Sequence, residues 1–110
     1  LVWWKAVDLL LEAMDQVPDA DLRIIGDGPE RARLEAQAAA GRAASRIRFE
    51  GFRPQTEIAD ALAGATALVL PSMRECGGAV ILEAFACRTT AIATRWGGPE
   101  DYVTPETGFL

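Results

Sequence analysis

Apolar positions along the chain switch repeatedly between two periods. Val7, Leu10, Leu11, Met14 and Val17 recur at helical spacing, and Pro18 closes that stretch. Leu22 to Ile25 predict a short strand. It ends in Gly26-Asp27-Gly28-Pro29, a turn that also opens a helix with Pro29 in its first turn. Residues 30–40, rich in Ala, Glu and Arg, predict a helix stopped by Gly41. Residues 47–50 predict a strand closed by Gly51, and residues 54–62 a helix with Thr56 as N-cap. The unbroken apolar run Ala67-Leu68-Val69-Leu70 ends at Pro71 and suits a strand covered on both faces. A helix over 78–86, a strand over 90–94 broken by Gly97-Gly98-Pro99, and the start of a strand at 108–110 complete the pattern.

Strands alternating with helices predict an α/β fold, a Rossmann-like doubly wound parallel sheet. Ligands of such sheets bind beyond the carboxyl ends of the strands. Here those ends lead into residues 26–29, 51–53, 71–78 and 95–99, which hold most of the glycines. With 110 residues, one domain or part of one is expected. The net charge of −5 excludes a protein that works by wrapping nucleic acid or anionic membrane with a broad basic surface. Local amides and one or two cations still suffice to bind a phosphate. Cys76 and Cys87 fit no zinc spacing, and the chain has no histidine. They read as two buried or half-buried free thiols of a reducing compartment. No apolar run is long enough to span a bilayer.

The richest chemistry lies between Pro71 and Ala86. Glu75 sits in the loop after the apolar strand, and Glu83 follows inside the next helix with seven residues between them. Gly77 and Gly78 at the junction allow a ligand close to the backbone. The free amides and dipole of a helix start favour an anion such as a diphosphate. A carboxylate in the helix can accept two hydrogen bonds side by side, as a ribose diol offers.

At this point the sequence resembles the C-terminal, donor-binding domain of glycosyltransferase family 4, retaining enzymes of the GT-B fold. Lys5 and the residues after it match the family's Lys-Gly helix start. Gly26-Asp27-Gly28-Pro29 matches its Gly-Asp-Gly-Pro turn, and Phe49-Glu50-Gly51 its Phe-x-Gly strand end. Pro71-Ser72, Glu75 and Glu83-Ala84 match its Pro-Ser-x-x-Glu-x7-Glu-Ala signature. Gly97-Gly98 and Thr107-Gly108 match its closing pairs. The chain departs from the family at Ala6 and Arg88, where Gly is usual, at Gly77, where an aromatic is usual, and at Thr90, where Pro is usual.

The resemblance implies a nucleotide-sugar-binding (glycosyltransferase group 1) domain over residues 1–110, truncated at both ends, one incomplete half of a GT-B fold. Its enzyme would move a hexosyl group from a nucleoside diphosphate sugar to a carbohydrate or lipid-linked acceptor with retention. The acceptor would bind a further N-terminal domain, and this chain alone would be inactive. Glu75 would be the catalytic residue, hydrogen-bonding the donor sugar. Lys5 would reach the diphosphate, and the backbone of Cys76, Gly77, Gly78, Ala79 and Val80 would hold diphosphate and sugar. Glu83 would bind the ribose, and the backbone at Phe52 and Arg53 would meet the base. No cofactor or metal ion and no nucleic acid are implied. A cytoplasmic protein is expected, with membrane association of the whole enzyme left open.

Each assignment has a plainer counterpart. Glu83 and Lys5 also read as solvated helix residues, and Glu75 as a polar loop residue. Residues 26–29 are a turn first, and a ligand loop only by position. Trp3 and Trp4 read as core or as packing against a further domain. Trp96 reads equally as packing or as a platform for a sugar. Arg31, Arg33, Arg42, Arg46 and Arg48 read as a solvated face. A non-catalytic nucleotide-sugar-binding module and a dinucleotide-binding Rossmann domain are the competing functions. The second lacks G-x-G-x-x-G after the first visible strand.

Overall fold

A computed structural model describes all residues 1–110. The chain divides into two compact units, Leu1–Arg53 and Pro54–Leu110. The first contains helix α1 (Val7–Met14), strand β1 (Leu22–Ile25), helix α2 (Arg31–Ala40) and strand β2 (Ile47–Gly51). The second contains α3 (Gln55–Ala63), β3 (Ala67–Leu70), α4 (Ala79–Ala86), β4 (Thr90–Ala93), α5 (Pro99–Tyr102) and β5 (Gly108–Phe109). Short 3-10 turns, Trp3–Lys5 and Ala44–Arg46, precede α1 and β2. Every strand pair is parallel, as the alternation of elements requires. The ladder forms two sheets: β1-β2 in the first unit, and β3-β4-β5 in the second.

In the first unit, Leu11, Ile24, Leu34 and Ala38 form the buried core, flanked by Val7, Leu22, Ile47 and Phe49. Helix α1 ends at Met14, short of the expected Val17. Residues 14–17 tighten into turns that leave Val17 exposed. Helix α2 begins at Arg31, so Pro29 lies before its first turn rather than in it. Asp27 sets that entry. Its carboxylate accepts the Gly28 amide at 2.7 Å and pairs with Arg31 at 3.0 Å. The Gly28 amide and then Arg31 hold Asp27 below the usual carboxylate range. Gly28 itself, at φ 154°, abuts the Leu1 backbone so closely that a Cβ there would collide.

Arg46 departs from the solvated face expected of it. Its guanidinium donates to the Met14 carbonyl at 3.0 Å and to those of Val17 and Ala20. A planar cationic fork thus ties together carbonyls at the end of α1 and in the following loop, that of Met14 shared with the Val17 amide. Arg31 pairs with Glu35 within α2, and Arg33 pairs with Glu30 just before the helix and reaches Asp8 as well.

In the second unit, Leu70, Ile81, Ala91, Ala93 and Val103 form the core, with Leu68, Val80, Phe85 and Tyr102 packed on it. The expectation that residues 67–70 are covered on both faces is not met: only Leu70 is buried. An apolar run fits a one-sided strand equally well. Small Ala91 and Ala93 face inward on β4, while Ile92 stays 42% exposed beside its register partner Phe109. Thr56 does not cap α3. Pro54 holds that place, in extended backbone, and Thr56 lies within the helix. Helix α5 was not expected, since Gly97-Gly98-Pro99 read only as a break. Trp3 and Trp4 are exposed and stack edge-on at 5.7 Å between ring centroids, so neither joins the core. Both cysteines are free, but Cys76 is exposed rather than buried.

Two residues other than glycine adopt positive φ: Ala6 at 50° and Arg88 at 61°. Both stand where the resembled family usually has glycine. After α4, the Thr89 amide bonds the Ala84 carbonyl and the Arg88 amide that of Phe85, a Schellman cap whose left-handed position is filled by arginine. A left-handed side-chain-bearing residue costs roughly 1–2 kcal/mol. Part of that is offset because arginine restricts the unfolded chain more than glycine does. Arg88→Gly is therefore expected to stabilise the chain by about 0.5–1 kcal/mol. A rise in the urea midpoint at unchanged m-value is the readout, and a fall would contradict this account of the cap.

Candidate functional site

In the second unit, β3 ends at Leu70 and the chain runs through residues 71–78 into α4. Helix α4 starts from Gly78 in a left-handed conformation (φ 65°), which only glycine adopts cheaply. The N-cap residue supplies no side-chain acceptor. Glu75 does so from three residues upstream: its Oε1 accepts the Gly78 amide at 3.0 Å. Its Oε2 accepts the hydroxyl of Ser72 at 3.3 Å. Glu75 is thus a half-buried loop residue anchored at both oxygens. The Gly78 amide, expected to face a ligand, is already engaged. The amides that a helix start leaves unpaired are then those of Ala79 and Val80.

Glu83 lies one turn further along, at i+4 from Ala79 and i+3 from Val80, so these positions share a face. It is half-buried and takes part in none of the ion pairs of the chain. Gly77 has open space where a Cβ would stand, so nothing in the chain requires glycine there. The structure therefore brings Glu75, Cys76, Gly77, Gly78, Ala79, Val80 and Glu83 together at the carboxyl end of β3.

A second loop packs against this one. After β4, residues 94–98 bring Gly97 and Gly98 onto the backbone of residues 75–77. A Cβ at Gly97 would collide with the Glu75 carbonyl oxygen, and one at Gly98 with that of Gly77. The Gly98 amide donates to the Cys76 carbonyl at 3.2 Å. The paired glycines are thus explained by backbone-to-backbone packing. Trp96 beside them is 55% exposed. Sequence reasoning gave no role to Ser72, which is fully buried, or to Thr94, whose hydroxyl donates to the Ser72 carbonyl. The motif contained Ser72, but only the folded loop shows what its hydroxyl bonds.

Lys5, Phe52 and Arg53 belong to the first unit. Lys5 is half-buried at the end of the first 3-10 turn. Phe52 is 82% exposed just past β2. Arg53 lies 3.6 Å from Glu50, whose carboxylate also takes a two-pronged bond from Arg23 at 2.6 and 3.0 Å. That Arg23 bond holds Glu50 below the usual carboxylate range. Residues 26–29 prove to be a packed turn, tied by the Gly26 amide to the Gly51 carbonyl at 2.8 Å. No three His, Cys, Asp or Glu side chains gather in one place. No helix is long and apolar enough to cross a membrane.

The chain is 34% identical over 110 residues to a sulfoquinovosyl transferase of Arabidopsis thaliana, covering 96% of this chain and 21% of that protein. It is 34% identical over 105 residues to a GDP-mannose-dependent alpha-(1-6)-phosphatidylinositol dimannoside mannosyltransferase of Mycobacterium tuberculosis, covering 94% and 26%. Among solved structures, sucrose-phosphate synthase from Thermosynechococcus elongatus superposes with a TM-score of 0.92 at 33% identity, over 99% of this chain and 29% of that one. The chain thus spans between a fifth and three tenths of these proteins. The family model for glycosyl transferases group 1 matches residues 1–110, and the chain belongs to that family, with the α/β architecture of its GT-B members.

Proposed function

We propose that this chain is the donor-binding part of a retaining glycosyltransferase of family 4, from the C-terminal half of a GT-B enzyme. The enzyme transfers a hexosyl group from a nucleoside diphosphate sugar to a carbohydrate or lipid-linked acceptor bound by another domain. One observation carries the reading: two carboxylates of different status flank the start of α4. Glu75 is fixed by two internal bonds, and Glu83 is half-buried one turn into the helix. Glu75 hydrogen-bonds hydroxyls of the donor sugar, since a carboxylate has about four lone-pair sites and can accept several bonds at once. Glu83 takes the ribose diol. The helix start between them meets the diphosphate, whose negative charge grows as the glycosidic bond breaks; oriented amides stabilise that charge without reorganising.

Lys5 keeps the diphosphate role, and the backbone at Phe52 and Arg53 the base role, that the family resemblance implies. A cytoplasmic location belongs to the same reading. The direct test is calorimetric titration of the chain with UDP-glucose, GDP-mannose and NAD. Binding of a sugar nucleotide in preference to NAD supports a donor site, and preference for NAD refutes it.

Two outcomes follow. Glu83→Ala is expected to weaken a ribose nucleoside diphosphate by about tenfold, the scale of one charged hydrogen bond. The 2′-deoxy analogue should lose markedly less. Equal losses for the two ligands would remove the ribose role. Donor binding is also expected to survive EDTA, because amides and fixed cations carry the diphosphate and no acidic cluster offers hard-cation ligands. Loss of binding in EDTA, restored by magnesium or manganese, would overturn that account.

A further inference from the structure

We propose that Ser72 and Thr94 are positioning residues: together they fix the plane of the Glu75 carboxylate, and so the direction in which it meets the donor sugar. The proposal rests on the donor-site reading of Glu75 given above. Ser72 and Thr89 are the chain's two buried polar or charged residues, and Ser72 is wholly inaccessible. A hydroxyl in that position needs a partner, because burial without one is costly. Its partner is Oε2 of Glu75. Thr89 has a separate, structural use, since its hydroxyl caps the Leu62 carbonyl at the end of α3 at 2.6 Å.

Thr94 secures Ser72 in turn. Its amide donates to the Leu70 carbonyl at 3.2 Å, continuing the β3-β4 ladder by one residue. Its hydroxyl donates to the Ser72 carbonyl. One residue past β4 therefore grips the chain leaving β3 at two points. The connection runs from Thr94 to the Ser72 backbone, from the Ser72 hydroxyl to Oε2, and from Oε1 to the Gly78 amide. Bonds to two different oxygens define the orientation of a carboxylate, which one bond leaves free to rotate. A glutamate otherwise has three soft torsions to order when ligand binds. Here they are set beforehand, the condition under which a positioned group contributes most.

The test uses the 110-residue chain with Thr94→Val, which keeps the shape and loses the hydroxyl, Thr94→Ser, which keeps the hydroxyl, and Ser72→Ala. Two readouts are taken. Amide hydrogen exchange at Gly78, followed by NMR, reports the Glu75 anchor without any donor. Calorimetry with UDP-glucose against UDP, and GDP-mannose against GDP, reports the sugar end of the site. Thr94→Val and Ser72→Ala should speed Gly78 exchange and cut sugar-nucleotide affinity by roughly threefold to tenfold, the worth of one hydrogen bond. Bare nucleotide affinity should hold, and Thr94→Ser should match the parent in both readouts. Thr94 is exposed, so its variants remain informative if Ser72→Ala fails to fold. Unchanged Gly78 exchange in Thr94→Val would overturn the relay itself. Faster exchange with equal loss of both ligand classes would overturn its link to the sugar. If the parent chain binds sugar nucleotides no better than bare nucleotides, the donor-site reading fails, and the exchange data still decide whether the relay exists.

Discussion

The bond from the Gly78 amide to the Glu75 carboxylate is the constraint on which the second unit's site depends. A helix that starts from a left-handed glycine has no side chain at its cap to satisfy the first amides. Here the acceptor comes from within the preceding loop, and the loop must fold back on itself to deliver it. That fold brings a carboxylate beside the opening of α4, where the remaining amides point outward. Capping chemistry and ligand chemistry thus share one side chain. The arrangement also explains why Ser72 is buried: a carboxylate turned toward the helix start presents its second oxygen inward, and the hydroxyl meets it there.

Much of this was legible in the sequence. Proline and glycine punctuate the chain at nearly every change of element, so the order of strands and helices and the loops at their carboxyl ends could be read from spacing. The positions of Glu75 and Glu83 followed from the same pattern. What could not be read depends on partners fixed only by folding. Arg46 looks like any surface arginine until three carbonyls from residues 14–20 converge on it. Thr94 reads as the last residue of a strand, because its partner is a backbone carbonyl in another loop. The face of a four-residue apolar strand is ambiguous for a different reason: a run without alternation carries no information about which side is covered.

The departures at Ala6 and Arg88 acquire a physical meaning that a comparison of letters does not supply. Both occupy left-handed backbone, and both lie where one helical segment ends. Gly77, the departure inside the loop, is of another kind: it has open space around it and no positive φ. The chain therefore carries backbone strain at two helix ends, one in each unit, and not at the glycine that departs from the family pattern within the loop before α4.

The contact of Gly97 and Gly98 with residues 75–77 reaches beyond local packing. Two backbones in touch cannot change length independently, since an insertion in either loop would push the other out of register. Diversification of this region without loss of the fold is accordingly confined to side chains outside the contact. Met73, Arg74 and Trp96 are exposed around it. A backbone-to-backbone contact permits these exposed side chains to be exchanged one residue at a time, while the loop that carries Glu75 keeps its path.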